Sequence, residues 1–156
     1  MASKLQTELK QTKPFVTIEE EVHLNIQRTA EALRRKTAEL LKGYDLTLSQ
    51  YNVLRILRGA GEAGLICREI GERMVAFDPD VTKLLDRLEA RGLIARERDQ
   101  KDRRVIITRI TDNGLTLLGE IDRPASDNHC SLLGHIGAKR LKILNELLVE
   151  AREKAA

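Results

Sequence analysis

DPDVTKLLDRLEARGLIARERDQKDRRVIITRITDNG, running from Asp78 to Gly114, changes its hydrophobic period at Gly92. Before that glycine, Val81, Leu84, Leu85 and Leu88 recur at i, i+3, i+4 and i+7, the single stripe of an amphipathic helix. Asp78 as N-cap with Pro79 at the first helical position predicts where the helix starts, and Gly92 as C′ residue predicts where it stops. After it, residues 93–98 and 105–110 read as two strands joined by the basic tip 99–104. Thr111 then predicts the cap of a helix that Leu115, Leu117, Leu118 and Ile121 carry to Pro124.

Working outward, residues 1–16 mix Lys4, Lys10 and Lys13 with polar residues without a clean period and are expected to form a flexible arm. Thr17 with Glu20 makes a capping box, opening a long amphipathic helix through Ile18, Val22, Ile26, Leu33, Leu40 and Leu41 to Gly43. Thr47 with Gln50 opens a second, largely apolar helix ending at Gly59. GAGEAG, 59–64, matches G-x-G-x-x-G but follows a helix instead of a strand, so it reads as a turn and not a phosphate loop. A short helix is expected over 65–74. Leu132, Leu133 and Ile136, then Leu141, Leu144, Leu147 and Leu148, predict two further helical segments separated near Gly137. The resulting organisation is an arm (1–16), a dimerisation helix (17–45), a winged helix-turn-helix domain (46–111) and C-terminal helices completing the dimerisation region (112–156).

Composition bounds the function. At 156 residues, 42% hydrophobic and 33% charged, with 27 Lys+Arg against 24 Asp+Glu, the chain has room for one folded domain and is too apolar and balanced for disorder. No apolar run approaches the roughly 18 residues of a membrane span, and MASKLQTELKQTK lacks a signal peptide's apolar core, so a cytoplasmic location without membrane contact is expected. Cys67 and Cys130 form no disulfide framework. His129, Cys130 and His135 match no metal-ligand spacing, and no nucleophile–base pair or paired carboxylates stand out, so neither metal, cofactor nor enzymatic activity is expected. Aromatic residues at 3%, with no Trp, argue against a base-stacking platform for single strands.

The order of elements, a short helix, a capped second helix and a charged hairpin, predicts a mainly α (α+β) winged helix-turn-helix flanked by N- and C-terminal dimerisation helices. In that arrangement the second helix enters the major groove of duplex DNA and the hairpin reaches the neighbouring backbone or minor groove. Away from the apolar stripe stand Pro79, Thr82, Lys83 and Arg87, with Asp80 at the flank. Lys83 suits a guanine edge, Thr82 a base or phosphate, and Arg87 a phosphate. Asp80 either accepts from a cytosine amino group or is neutralised within the protein by Lys83 or another cation, the intramolecular role being favoured. Residues 91–109 hold seven basic side chains against three acidic ones, an excess fitting a polyanion or simply a well-solvated hairpin. The wing contacts expected are Arg98, Lys101, Asp102, Arg103 and Arg104. Val22, Ile26, Leu141, Leu144 and Leu148 offer more apolar stripe than one small domain covers, predicting a homodimer seam. Two recognition helices related by a two-fold axis would read a pseudo-palindrome with half-sites about 34 Å apart.

The segment from Glu69 to Gly114 resembles the winged helix-turn-helix of MarR-type bacterial transcription regulators, most specifically in DQKDRRVIITRITDNG; LTLSQYNVLRIL, 46–57, is similar as well. The resemblance implies an obligate homodimer with interlocked terminal helices and a cleft for small aromatic or phenolic effectors. It also implies a wing-tip arginine at Arg103 or Arg104 oriented by Asp102, and recognition contacts at Asp80, Thr82 and Lys83. By position His23, Arg28, Tyr44 and Tyr51 are the cleft candidates. Val75 stands where that family usually has Gly, and Pro79 and Asp80 where it usually has Ser or Thr. The function expected is a sequence-specific duplex-DNA-binding repressor relieved by a small molecule. The alternative is a winged-helix protein-interaction module that binds no DNA, motivated by Asp78, Asp80 and Asp86 on the presumed groove face.

Overall fold

A side-chain oxygen sits at the start of five helices, accepting an N–H that has no intrahelical partner: Ser3 from Gln6, Thr17 from Glu20, Thr47 from Gln50, Asp80 from Lys83 and Thr111 from Gly114. The computed structural model describes residues 3–155. Its elements are α1 (Lys4–Glu8), α2 (Ile18–Lys42), α3 (Leu48–Ala60), α4 (Cys67–Arg73), α5 (Val81–Ala90), β1 (Ile94–Arg98), β2 (Ile106–Ile110), α6 (Asp112–Leu133) and α7 (Ala138–Glu153). Single 3-10 turns occupy Gly61–Ala63 and Gly134–Ile136. No helix is long and apolar enough to cross a membrane among the described residues.

The core is built around α3, whose Val53, Leu54 and Leu57 are fully buried. Leu85 and Leu88 of α5 close one side of it, and Leu118 and Ile121 of α6 another. β1 and β2 pair antiparallel with Ile94 opposite Ile110 and Arg98 opposite Ile106. Leu65, expected in the short helix, instead adds a bridge to this hairpin: its N–H donates to the Thr108 carbonyl at 3.0 Å, and its carbonyl accepts from Thr108 N at 2.8 Å. Gly64 makes this possible. It lies at φ +66°, and a Cβ there would meet the Thr108 carbonyl oxygen at 2.7 Å. The chain enters α4 only at Cys67, after the Ile66 N–H has donated to the Glu69 carboxylate.

Gly114 is the second position where only hydrogen fits. A Cβ would collide with the Leu93 carbonyl and come within 2.6 Å of Ile110 Cγ1, because the first turn of α6 is pressed into the hairpin's base. Gly114→Ala should therefore cost about 1–3 kcal/mol of unfolding free energy, the range for overpacking, read as a lowered urea midpoint at unchanged m.

Three further boundaries differ from the sequence reading. The stretch read as an arm holds α1, with Leu5 only 3% exposed; residues 1 and 2 lie outside the described part. α5 begins at Val81 instead of Pro79, with Asp80 and not Asp78 as its cap. α6 runs through Pro124 to Leu133. A proline there removes one donor, to the carbonyl four residues back, Glu120. The Tyr44 hydroxyl is directed at that same carbonyl oxygen from 3.5 Å, so the orphaned acceptor is partnered from α2's end and the helix need not stop.

Candidate nucleic-acid interface

The front of α5 is made by two aspartates used locally. Asp78 Oδ1 accepts from the Asp80 N–H at 2.9 Å, turning the chain at Pro79, and Asp80 Oδ1 accepts from the Lys83 N–H at 3.0 Å. Asp80 thus caps the helix through the backbone N–H of Lys83, and among the described residues it makes no ion pair with the Lys83 ammonium or another cation. With Leu84, Leu85 and Leu88 buried, Thr82, Lys83 and Arg87 are left exposed on the outer face. The Thr82 hydroxyl lies 3.8 Å from Cys67 Sγ, which places it against the start of α4.

The wing tip is shaped by its own acids. Asp102 N donates to Asp99 Oδ2 at 3.3 Å, Arg104 N to Asp102 Oδ1 at 3.0 Å, and Arg98 Nη1 to the Arg103 carbonyl at 2.9 Å. Asp102 therefore orders the loop through a main-chain N–H; it makes no ion pair with the Arg103 or Arg104 guanidinium among the described residues. Those two arginines and Lys101 project exposed from the tip, while Arg98 is partly engaged in holding the turn.

The seven cations of 91–109 divide by role. Arg91 ties the end of α5 back to the α2–α3 connection, donating to the Asp45 carbonyl at 2.5 Å. Arg109 donates to the Glu62 carbonyl at 2.6 Å. Arg96, on β1, clamps α5: its guanidinium meets Asp86 Oδ1 at 2.6 Å and Glu89 Oε2 at 2.5 Å, and its N–H meets Glu89 Oε1 at 3.2 Å. Helix and wing are consequently one unit, and the free positive charge is concentrated in Lys101, Arg103, Arg104, Lys83 and Arg87. This clamp was not foreseen from the sequence, although Asp86 and Glu89 stand three apart on one face of the predicted helix, where two carboxylates invite a shared cation.

The hydrogen bond from Arg96 holds the Glu89 carboxyl below the usual carboxylate range, and the bidentate bond from Arg58 does the same to Asp122, joining α3 to α6 at 2.8 and 2.9 Å. Both groups have lowered folded-state values, so the stability they contribute is present above about pH 4 and is lost as pH falls through those values. Arg96→Met should leave a gap from wild type of about 1 kcal/mol or less at neutral pH, because the pair is part-exposed, and that gap should close as urea melts are repeated toward pH 3.

The four cleft candidates do not converge. His23 pairs with Gln27 on α2, Arg28 forms an ion pair with Glu8 at 3.2 Å, and Tyr44 serves α6 as described. Tyr51 does border a cavity of about 230 Å³, together with Arg34, Arg55, His129, Asn52 and the turn Met74–Ala76. Arg55 stands over the Tyr51 ring, 5.8 Å from its centroid. No acidic side chain lines this space. Its walls come from α2, α3, α6 and the helix-turn-helix turn, so no local motif marks it; the Tyr51–Arg55 spacing of i, i+4 was the one available signal. Among the described residues no His/Cys/Asp/Glu group is arranged to hold a metal ion.

Of the predicted seam residues, Val22, Ile26 and Leu144 are 47%, 40% and 39% exposed, while Leu141 and Leu148 are half-buried. α7 buries none of its residues within the single chain.

Two short helices joined by a turn, α4 and α5, followed by an antiparallel wing, define a winged helix-turn-helix. The MarR family's sequence model matches residues 46–106. The HTH-type transcriptional regulator TtmR of Methylorubrum extorquens (strain PA1) is 39% identical over 97 residues, 62% of this chain and 49% of that protein. The crystal structure of a MarR transcription factor from Planctomyces limnophilus is 35% identical with a TM-score of 0.67, covering 86% of this chain and 97% of that one. The S. aureus MepR–DNA complex shares the fold at 20% identity and a TM-score of 0.75, covering 90% of this chain and 99% of MepR. The chain belongs to the MarR family of winged-helix transcription regulators. The matched stretch spans about half of TtmR, which is named as a regulator of transcription.

Proposed function

We propose that the chain is a homodimeric, sequence-specific duplex-DNA-binding repressor released by a small anionic aromatic effector. The observation that carries the DNA reading is the Arg96 clamp. It fixes the exposed Thr82–Lys83 face of α5 relative to the free wing-tip cations, as simultaneous groove and backbone contact requires. MepR, with the same fold, is described bound to DNA. The dimer reading is supported by the uncovered apolar residues of α2 and α7, which no element of the single chain covers. The effector reading is supported by the cavity beside Tyr51, where Arg34, Arg55 and His129 face a space without acids and Tyr51 supplies an aromatic wall.

Release has a physical route. The Val75 N–H donates to Asn52 Oδ1 at 2.8 Å, and both residues border the cavity, so a ligand there touches the turn that positions α5. Selection from random duplexes, followed by gel shift on the winning site, tests the whole reading: a palindrome bound at low salt supports it, and no bound duplex favours the protein-interaction module. Benzoate added to the complex should release the duplex from wild type and leave the Arg55→Ala complex intact. Release of both complexes alike would remove the cavity from the mechanism.

A further inference from the structure

Val75 and Phe77 are 92% and 91% exposed, on the turn that leads into α5. The turn is anchored on both sides of them, by Val75 N on Asn52 Oδ1 at 2.8 Å and by Asp80 N on Asp78 Oδ1 at 2.9 Å. The two apolar groups are therefore presented from a built turn. Resting on the DNA-binding reading above, we propose that Val75 and Phe77 contact thymine C5-methyl groups in the major groove, making this turn a specificity element for A·T pairs.

Size excludes the other obvious occupant. A stable protein interface covers about 800 Å² per partner. A Phe side chain supplies about 150–250 Å² and Val less, and the short apolar run Met74–Phe77 is bounded by Arg73 and Asp78. The patch is too small for a protein surface but is matched to a methyl group. Its place in the fold points the same way, since Phe77 lies three residues ahead of the Asp80 cap, at the end of α5 that faces base edges in this fold.

On the turn itself, ahead of Thr82 and Lys83, polar readers are scarce. The Asp78 and Asp80 carboxylates are turned onto backbone N–H groups, and Pro79 has no donor. The two negative charges also disfavour a phosphate beside the turn, which leaves the base edges as its neighbour. On the major-groove edge the thymine methyl is the one apolar feature, so apolar side chains there discriminate T from the other bases.

The test uses the full chain and its selected site, with thymines replaced by deoxyuridine, which removes the methyl and preserves every hydrogen-bonding group. At one thymine in each half-site, wild type should lose about fifteenfold in affinity, or about fourfold per methyl from the loss of one buried carbon. Val75→Ser with Phe77→Ser, both on exposed side chains and thus compatible with the fold, should bind more weakly and equally to both duplexes. Equal binding of the two duplexes by wild type would overturn the inference while leaving DNA binding intact. Discrimination that survives the double substitution would assign the methyl contact elsewhere, with Thr82 the next residue to change. Binding to no duplex at all would overturn the DNA reading and this inference with it.

Discussion

Arg103→Ala combined with Arg104→Ala should lower affinity for the selected site by about three and a half decades at 0.1 M salt and reduce the slope of log K against log salt by about 3.6. Two side chains lost from each of two wings remove four phosphate contacts, and each contact releases about 0.9 of a counterion. The expected loss therefore shrinks as salt is raised, and the curves of variant and wild type converge near 1 M. Folding should be untouched, because the tip is held by main-chain groups that alanine retains: the Arg103 carbonyl that accepts from Arg98, and the Arg104 N–H that donates to Asp102. Fluorescence anisotropy at four or five salt concentrations measures both quantities. An unchanged slope would mean that the tip cations stay solvated on the complex, the plain-hairpin reading of the same charges.

Val22→Glu combined with Leu144→Glu should leave a folded monomer whose affinity for the two-half-site duplex is weaker by about 10²–10⁴, the advantage of linked binding. Both side chains are substantially exposed in the single chain, at 47% and 39%, so a carboxylate is tolerated there and is costly only where a second copy covers it. Sedimentation equilibrium gives the mass and gel shift the affinity. A variant that remained dimeric would move the seam to other parts of α2 and α7. A wild type that sedimented as a monomer would remove the palindrome argument with it.

Local chemistry explains what the sequence made legible. The period change at Gly92, the Thr47 and Thr111 caps and the alternation of the hairpin are set by neighbours within about four positions, so a linear reading reached them. The failures all involve a partner distant in sequence or a competition between adjacent groups. Asp78-Pro79 has the form of a helix start, yet the Asp78 carboxylate takes the Asp80 N–H, and the cap passes to Asp80. Pro124 reads as a terminator, but the acceptor it orphans faces Tyr44 across a separation of 76 positions to Glu120. Leu65 reads as helical because its pairing with Thr108 cannot be seen locally.

The candidate interface divides in the same way. Thr82, Lys83, Arg87, Lys101, Arg103 and Arg104 were legible as exposed cations and hydroxyls once helix and hairpin were placed. Arg96 lies in the same basic stretch, 91–109, and is the clamp between β1 and α5. The cavity beside Tyr51 draws on four separate elements, so no local pattern marks it; of the positional cleft candidates Tyr51 borders it, and His23, Arg28 and Tyr44 do not.

Sedimentation of the full chain with a labelled palindromic duplex, from about 50 to 200 mM salt, examines grip and symmetry in a single experiment. The expected result is one two-chain complex per duplex at the low end, dissociating steeply as salt rises. A single-chain species that leaves the duplex free throughout that range would contradict it.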